Sequence, residues 1–363
     1  MTDRQIPFAR LAFAAGCAAT ILAGAAVAQD MQGFAPLPDA PEINEVRAAL
    51  GEMLFFDTRL SGDTANSCAT CHDPARGWGD GAAMSTGYTG VEYFRNAPGL
   101  FNVADRNYLM WDGRLDGADL GTLVRDMLTE SHTMHMDSRL AQERLKQVPE
   151  YMAMFEEAYG AEPYGGRIYG AIAEYIKTIR TENAPFDAYL RGDAAALSES
   201  AARGMELFAG EAGCAACHGG AMLSDGGLHA TGAPDHPELQ ENADRQITML
   251  RHFATMGTPN YMNLREDVGQ YVVTKDDADI GKFVTPSLWD VGQTAPYMHS
   301  GVFPTLAEVV AFYDAGNDAI APLGLSEAQE ADLVAFLESL TGDAPEIPDP
   351  DLPDYALRVV GEN

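Results

Sequence analysis

The sequence predicts a mainly α fold made of two helical halves built on one plan, joined and interrupted by long irregular loops. Three observations carry that prediction. Apolar residues recur at helical spacing along several segments, whereas alternating strand patterns are almost absent. A Cys-x-x-Cys-His pentapeptide occurs once in each half. Each copy follows a helical stretch and precedes a long loop and further helices. The 363 residues are enough for two domains with cores of their own.

The elements follow in chain order. Arg4 and Arg10 precede an apolar, Ala-rich stretch from Leu11 to Ala26, and Ala26-Val27-Ala28 fits the small-x-small cleavage rule. Residues 1–28 are therefore expected to be a signal peptide, with the mature chain starting near Gln29. Ala14 stands where a lipoprotein signal before Cys17 would carry Leu, which argues against a lipid anchor. No run of the mature chain is apolar and long enough for a membrane span. Residues 29–41, Pro-rich and polar, read as a loose arm.

A first domain is expected over 42–190. Ile43, Val46, Leu50 and Leu54 mark a helix, and the first pentapeptide follows at 68–72 in a Gly/Asp-rich surround. Residues 140–183 read as two helices broken near Pro163-Tyr164-Gly165-Gly166. The second carries Ile168, Ala171, Ile172, Tyr175, Ile176 and Ile179 on one face. After a linker at 191–197, a second domain is expected over 198–342. A helix over 198–208 leads into the pentapeptide at 214–218. Residues 225–282 form a long polar loop with one short helical candidate at 247–256, and loops of that length are commonly functional. Thr305-x-x-Glu308 and Ser326-x-x-Gln329 are capping boxes that open two helices. Leu306, Val309, Val310 and Tyr313 face one way on the first. Gly342 should end the second. Residues 343–363 form a Pro/Asp-rich tail expected to wrap the surface.

The chemistry lies in the pentapeptides. Of five cysteines, Cys17 leaves with the leader, and Cys68, Cys71, Cys214 and Cys217 all belong to Cys-x-x-Cys-His, leaving none for a disulfide. Two thiols at this spacing can each form a thioether to a haem vinyl group, and the adjacent His72 or His218 can then bind the iron. A zinc site or a thiol redox pair would not call for two full copies that use every mature cysteine. The halves therefore read as cytochrome c-like helical domains, each with one covalently bound c-type haem. The formal charge is −31. Losing two positive charges and one negative with the leader takes it to −32. Such acidity excludes nucleic acid and anionic membrane surfaces as partners and suits steering of a basic redox protein.

Whether such a protein carries electrons or turns over substrate depends on the sixth ligand of each iron. Here the chain resembles the bacterial dihaem cytochrome c peroxidase/MauG family over nearly the whole mature length. The resemblance is carried by residues 54–63 (Leu54-Phe55-Phe56-Asp57-Thr58-Arg59-Leu60-Ser61-Gly62-Asp63), Arg95-Asn96-Ala97-Pro98 and Trp111-Asp112-Gly113-Arg114. Phe283-Val284-Thr285-Pro286-Ser287-Leu288 and Ala295-Pro296-Tyr297-Met298-His299-Ser300-Gly301 complete it, in family order with both haem motifs. The resemblance implies that the N-terminal haem, with His72 proximal, reacts with peroxide. It implies that the C-terminal haem, with His218 proximal, stores or relays electrons, and that Trp111 lies between them as a relay. It also implies a calcium ion held by the Asn96 side chain and the carbonyl oxygens of Thr294 and Pro296, donors that suit Ca²⁺.

Three positions depart from the peroxidase pattern. Tyr88 stands where classical members place a histidine that caps the N-terminal haem before activation, so that haem is expected to be open as isolated. Tyr313 stands where they place a methionine on the C-terminal haem. MauG-like members use tyrosine there, and a phenolate is a competent haem ligand. Met249, Met256, Met262 and Met298 remain rival ligands. The distal acid that follows the Trp-Asp-Gly-Arg motif does not align cleanly. Glu130 is the candidate for moving the peroxide proton, with His132 and His135 behind it.

The expected function is a MauG-like dihaem peroxidase-type oxidoreductase. It would react with hydrogen peroxide at the N-terminal haem and oxidise a partner through the C-terminal haem in the periplasm. That partner is either a small cytochrome c or cupredoxin, or a specific protein substrate, as for MauG in cofactor maturation. The two tyrosines favour the protein substrate. A dihaem electron-transfer cytochrome without peroxidase turnover is the alternative.

Overall fold

The structure is a computed structural model that describes residues 33–348 and 350–355. The signal peptide, residues 29–32 of the arm and residues 356–363 of the tail lie outside the described residues. Thirteen α-helices are described: α1 Glu45–Phe56, α2 Cys68–Cys71, α3 Leu120–Thr129, α4 Ser138–Leu145, α5 Pro149–Tyr159, α6 Gly165–Ile176, α7 Pro185–Leu190, α8 Glu199–Ala209, α9 Glu238–Glu241, α10 Ala243–Thr255, α11 Tyr271–Thr274, α12 Leu306–Ala315 and α13 Glu327–Ser339. Among the described residues strand is confined to two short antiparallel ribbons, Tyr108–Leu109 with Leu115–Asp116 and Leu228–His229 with Phe283–Val284. The chain is mainly α, as its periodicity indicates. No described helix is long and apolar enough to cross a membrane.

Each half is organised by a helix pair that crosses at a glycine. In the first, α1 packs on α6, and a Cβ at Gly51 would lie 2.0 Å from the carbonyl oxygen of Ala171. In the second, α8 packs on α13, and a Cβ at Gly204 would lie 1.9 Å from the carbonyl oxygen of Asp332. No side chain fits at either crossing, so only glycine lets the backbones approach. Leu50, Leu54, Phe155, Ile168 and Ala171 are fully buried around the first crossing. Around the second, Phe336 packs edge-on against Phe208 and Phe186, at centroid distances of 5.1 and 5.0 Å. Each such Leu, Ile or Phe side chain contributes roughly 1.5–3 kcal/mol on burial. A third cluster, Phe94, Leu239, Met249, Phe253 and Val272, joins a loop of the first half to α9–α11.

Several elements differ from the sequence reading. Residues 138–176 hold three helices, because Pro149 starts a new one at its first position, where its missing N–H costs nothing. Helix α3 was not anticipated, although Leu120, Val124 and Leu128 bury one face behind an Asp119 cap. α10 starts four residues earlier than the 247–256 candidate, at an Asn242 cap. α13 ends at Ser339, before Gly342. Gly342 instead lets the chain pass so close to the Glu182 carbonyl that a Cβ would fall 2.1 Å away. The arm is docked rather than loose from residue 33: Phe34 packs edge-on against Phe186, and Leu37 N–H donates to Asp187. The described part of the tail reaches back to the first half, where Arg59 donates to the Pro353 carbonyl at 2.6 Å and lies over the Tyr355 ring.

Candidate functional site

The first pentapeptide forms a single turn, α2. Ser67 caps it, and its backbone N–H donates to the Thr70 hydroxyl at 2.9 Å. The turn sets Cys68, Cys71 and His72 at one edge of the first core. His72 Nδ1 lies 2.9 Å from the carbonyl oxygen of Trp78. A carbonyl only accepts, so Nδ1 carries the proton and Nε2 presents a bare lone pair. Burial reinforces this by holding the imidazole below its ordinary pKa, that is, neutral. The second pentapeptide repeats the device. His218 Nδ1 lies 3.1 Å from the Leu223 carbonyl oxygen, and burial again lowers its pKa. Burial also pushes the Cys68 thiol up to about 12 and the Cys214 thiol up to about 11. Two thiols and a neutral imidazole with a free Nε2 are the donor set that covalent haem needs, and both motifs present it.

Beside the second motif lies a cavity of about 360 Å³, in the range of a ligand pocket. Cys214, Cys217 and His218 line it. So do Leu306, Val309, Val310 and Tyr313 from the inward face of α12. Burial raises the Tyr313 pKa, with Thr231 opposing. Of the four methionines considered as iron ligands, Met298 alone lines this cavity. Met249 is fully buried in the Phe94–Phe253 cluster, Met256 packs against that cluster, and Met262 is 59% exposed. Asn96, Thr294 and Pro296 also reach the cavity wall. The Asn96 amide nitrogen donates to the Ala82 carbonyl at 2.9 Å, which leaves its oxygen as the atom available to a cation.

Trp111 stands in the wall of the same cavity, and its Nε1–H donates to the Asn96 carbonyl oxygen at 3.0 Å. Its neighbour Asp112 belongs to a buried ionic chain. Arg95 bonds Asp112 at 2.7 Å and Asp267 through two nitrogens, at 2.5 and 2.9 Å. Arg114 bonds both oxygens of Asp112, and its Nη2 lies 3.6 Å from Glu130. Burial raises the pKa of both aspartates, but the guanidinium charges outweigh it and hold Asp112 and Asp267 below the usual carboxylate range. Glu130 sits just past the end of α3, with Oε2 2.9 Å from His132 Nε2. There too burial acts upward, but His132 and Arg114 leave the carboxyl below its ordinary value, hence ionised. His132 stacks on Tyr93, and His135 stacks on Tyr88.

The structure thus brings Cys214, Cys217, His218, Tyr313, Trp111, Asn96, Thr294 and Pro296 to one cavity. Cys68, Cys71 and His72 form the separate first motif. Glu130 connects to Trp111 through Arg114 and Asp112. Sequence reasoning missed the ionic chain, although Arg95, Asp112 and Arg114 lie inside motifs it quoted. It also missed Arg106, which lines the cavity. Isolated charges in a sequence give no sign of burial.

Several known proteins resemble the chain. A family profile described as "Di-haem cytochrome c peroxidase" matches residues 45–195. The chain is 53% identical to "Cytochrome-c peroxidase IdrP2" of Pseudomonas sp. (strain SCT), over 95% of this chain and 94% of that one. It is 35% identical to "Methylamine utilization protein MauG" of Methylorubrum extorquens, over 88% of this chain and 84% of that one. Among solved structures it matches a MauG-like protein associated with microbial copper homeostasis. The TM-score is 0.71 at 28% identity, covering 85% of this chain and 93% of that one.

Proposed function

The chain belongs to the di-haem cytochrome c peroxidase and MauG family, an oxidoreductase family, and on that basis we propose how its residues divide the work of a MauG-like dihaem peroxidase. Residues 42–190 form the domain that meets hydrogen peroxide, and residues 198–342 the domain that exchanges electrons with a partner. Haem bound at the two motifs supplies the redox-active iron that reduces peroxide and stores oxidising equivalents. Reducing one peroxide to two waters takes two electrons, drawn from the partner, and two protons.

The chain's own residues do the rest. His72 and His218 offer Nε2 to iron because Trp78 and Leu223 hold the Nδ1 proton. Glu130, ionised despite its burial, accepts the proton of the incoming peroxide and returns it to the departing oxygen. Trp111, anchored through Nε1 in the cavity wall, relays electrons. Tyr313, in the wall of the cavity with His218, would offer its phenolate oxygen to the iron of a haem bound there. Asn96, Thr294 and Pro296 hold one calcium ion, and the protein works in the periplasm. The observation that carries the reading is the paired Nδ1-to-carbonyl contact, which readies both histidines for iron in the same way.

The presence of Tyr313 in the cavity wall favours a specific protein substrate over a small cytochrome c or cupredoxin as the oxidised partner. The test mixes the holoprotein and peroxide with each class of partner. Peroxide consumption coupled to oxidation of either supports the enzyme. A protein with two haems that exchanges electrons but consumes no peroxide is instead a plain electron carrier.

A further inference from the structure

Arg106 lies in the short turn after Val103–Asp105, and its side chain reaches the wall of the cavity that holds Cys214, Cys217 and His218. It also lines an adjoining cleft, together with Trp111. One terminal nitrogen, Nη2, donates to the carbonyl oxygens of Gly99 and Phe101 at 2.8 and 2.9 Å. Nε is buried and, among the described residues, has no partner. The adjacent carboxylate does not serve it, because Asp105 pairs with Arg180 at 2.6 Å. Among the described residues no carboxylate forms an ion pair with Arg106, whereas Arg95 and Arg114 have aspartates of their own. Burial without an anion lowers the Arg106 pKa to about 10. An unpaired guanidinium facing a cavity is costly unless what fills the cavity brings a negative charge, and a planar carboxylate is the group its fork fits.

We propose that Arg106 is the counter-cation of a propionate carboxylate on the haem held at Cys214, Cys217 and His218, and that it raises that haem's reduction potential. The proposal rests on the reading of that cavity as a haem site. Removing the guanidinium leaves the propionate charge uncompensated beside the iron. That disfavours adding an electron, so the potential falls. The charge would act at the haem beside which Trp111 stands, on the path assigned to electrons.

The experiment is a spectroelectrochemical titration of the holoprotein and of Arg106→Gln and Arg106→Lys, with covalent haem counted by mass spectrometry. Arg106→Gln should lower the reduction equilibrium constant of the C-terminal haem roughly tenfold, the size of one charge-assisted contact. The N-terminal haem should shift in the same direction but less, since the Arg106 charge also bears on His72, and Arg106→Lys should keep most of the effect because it keeps the charge. An unchanged C-terminal haem in Arg106→Gln overturns the proposal. So does an equal shift of both haems, or a shift confined to the haem at Cys68 and Cys71. A crystal structure of the unmodified holoprotein decides the matter even where Arg106→Gln fails to assemble. A propionate oxygen within hydrogen-bond distance of the guanidinium supports the pairing, and propionates that all turn elsewhere overturn it. Fewer than two haems on the unmodified protein would overturn the dihaem reading itself, an outcome distinct from two haems with an unresponsive potential.

Discussion

The ring of Tyr88 lies flat against that of His135, with centroids 4.8 Å apart and planes 17° from parallel. On another side the ring closes on Gly62, where a Cβ would come within 2.7 Å of it. A phenol clamped between a stacked imidazole and a backbone is not free to swing onto a metal. We therefore expect the N-terminal haem to be open in the oxidised protein as isolated. The electron paramagnetic resonance spectrum should contain a high-spin ferric signal, and peroxide should react without prior half-reduction. A wholly low-spin spectrum, with reactivity appearing only after one electron is added, would reverse this expectation.

Covalent attachment is expected at both motifs. The mature protein should carry two haems, and the double variant Cys68→Ala/Cys71→Ala should carry one, on the peptide containing Cys214 and Cys217. Mass spectrometry of the intact and digested protein reads this directly.

Tyr313→Phe should keep the fold, because the ring volume of α12's inward face is retained. It should alter the low-spin signal of the C-terminal haem and abolish partner oxidation, while peroxide still reacts at the N-terminal haem. Tyr313→Met should raise the C-terminal potential, since a thioether stabilises the ferric state less than an anionic oxygen. Burial raises the phenol's pKa, so its binding as an anion must be driven by iron. Met298→Leu is the control. If it alone changes the low-spin signal, Met298 is the ligand and Tyr313 only packs.

Arg95→Met should destabilise the protein by about 3–5 kcal/mol in a denaturant titration, because Asp112 and Asp267 would be left buried without their shared cation. A loss below about 1 kcal/mol would mean that Arg114 and local rearrangement compensate the charges unaided.

Asp290 should make stability depend on pH in the opposite sense to Asp112 and Asp267. It is fully buried, accepts hydrogen bonds from Thr181 and Gly342, and has its carboxyl pushed by burial from 3.8 up to about 6. Between those values the folded state binds the proton more tightly than the unfolded state. Its contribution is therefore present below about pH 4 and is lost as pH rises through about 6. The loss is up to roughly 3 kcal/mol. Asp290→Asn should be more stable than the unmodified protein at pH 7 relative to pH 4, as read from paired melts. Parallel pH profiles for the two proteins would show that Asp290 does not titrate there.

The mainly helical fold, the two Cys-x-x-Cys-His motifs and the capping boxes at Thr305 and Ser326 were legible in the sequence, because each depends on residues a few positions apart. Thioether spacing, capping and helical periodicity are local chemistry. The same holds for the inward face of α12, since Leu306, Val309, Val310 and Tyr313 share a side whatever the helix packs on. Tertiary structure decided what depends on distant segments. It placed Trp78 and Leu223 where their carbonyl oxygens set the protonation of His72 and His218. It brought Arg95 to Asp267 across 172 positions of chain. Among the described residues it left Arg106 Nε without a partner and kept Met249 out of the cavity that Met298 lines. Burial and pairing decide whether a charge is a surface ornament or a functional group, and both are sums over neighbours that only folding brings together.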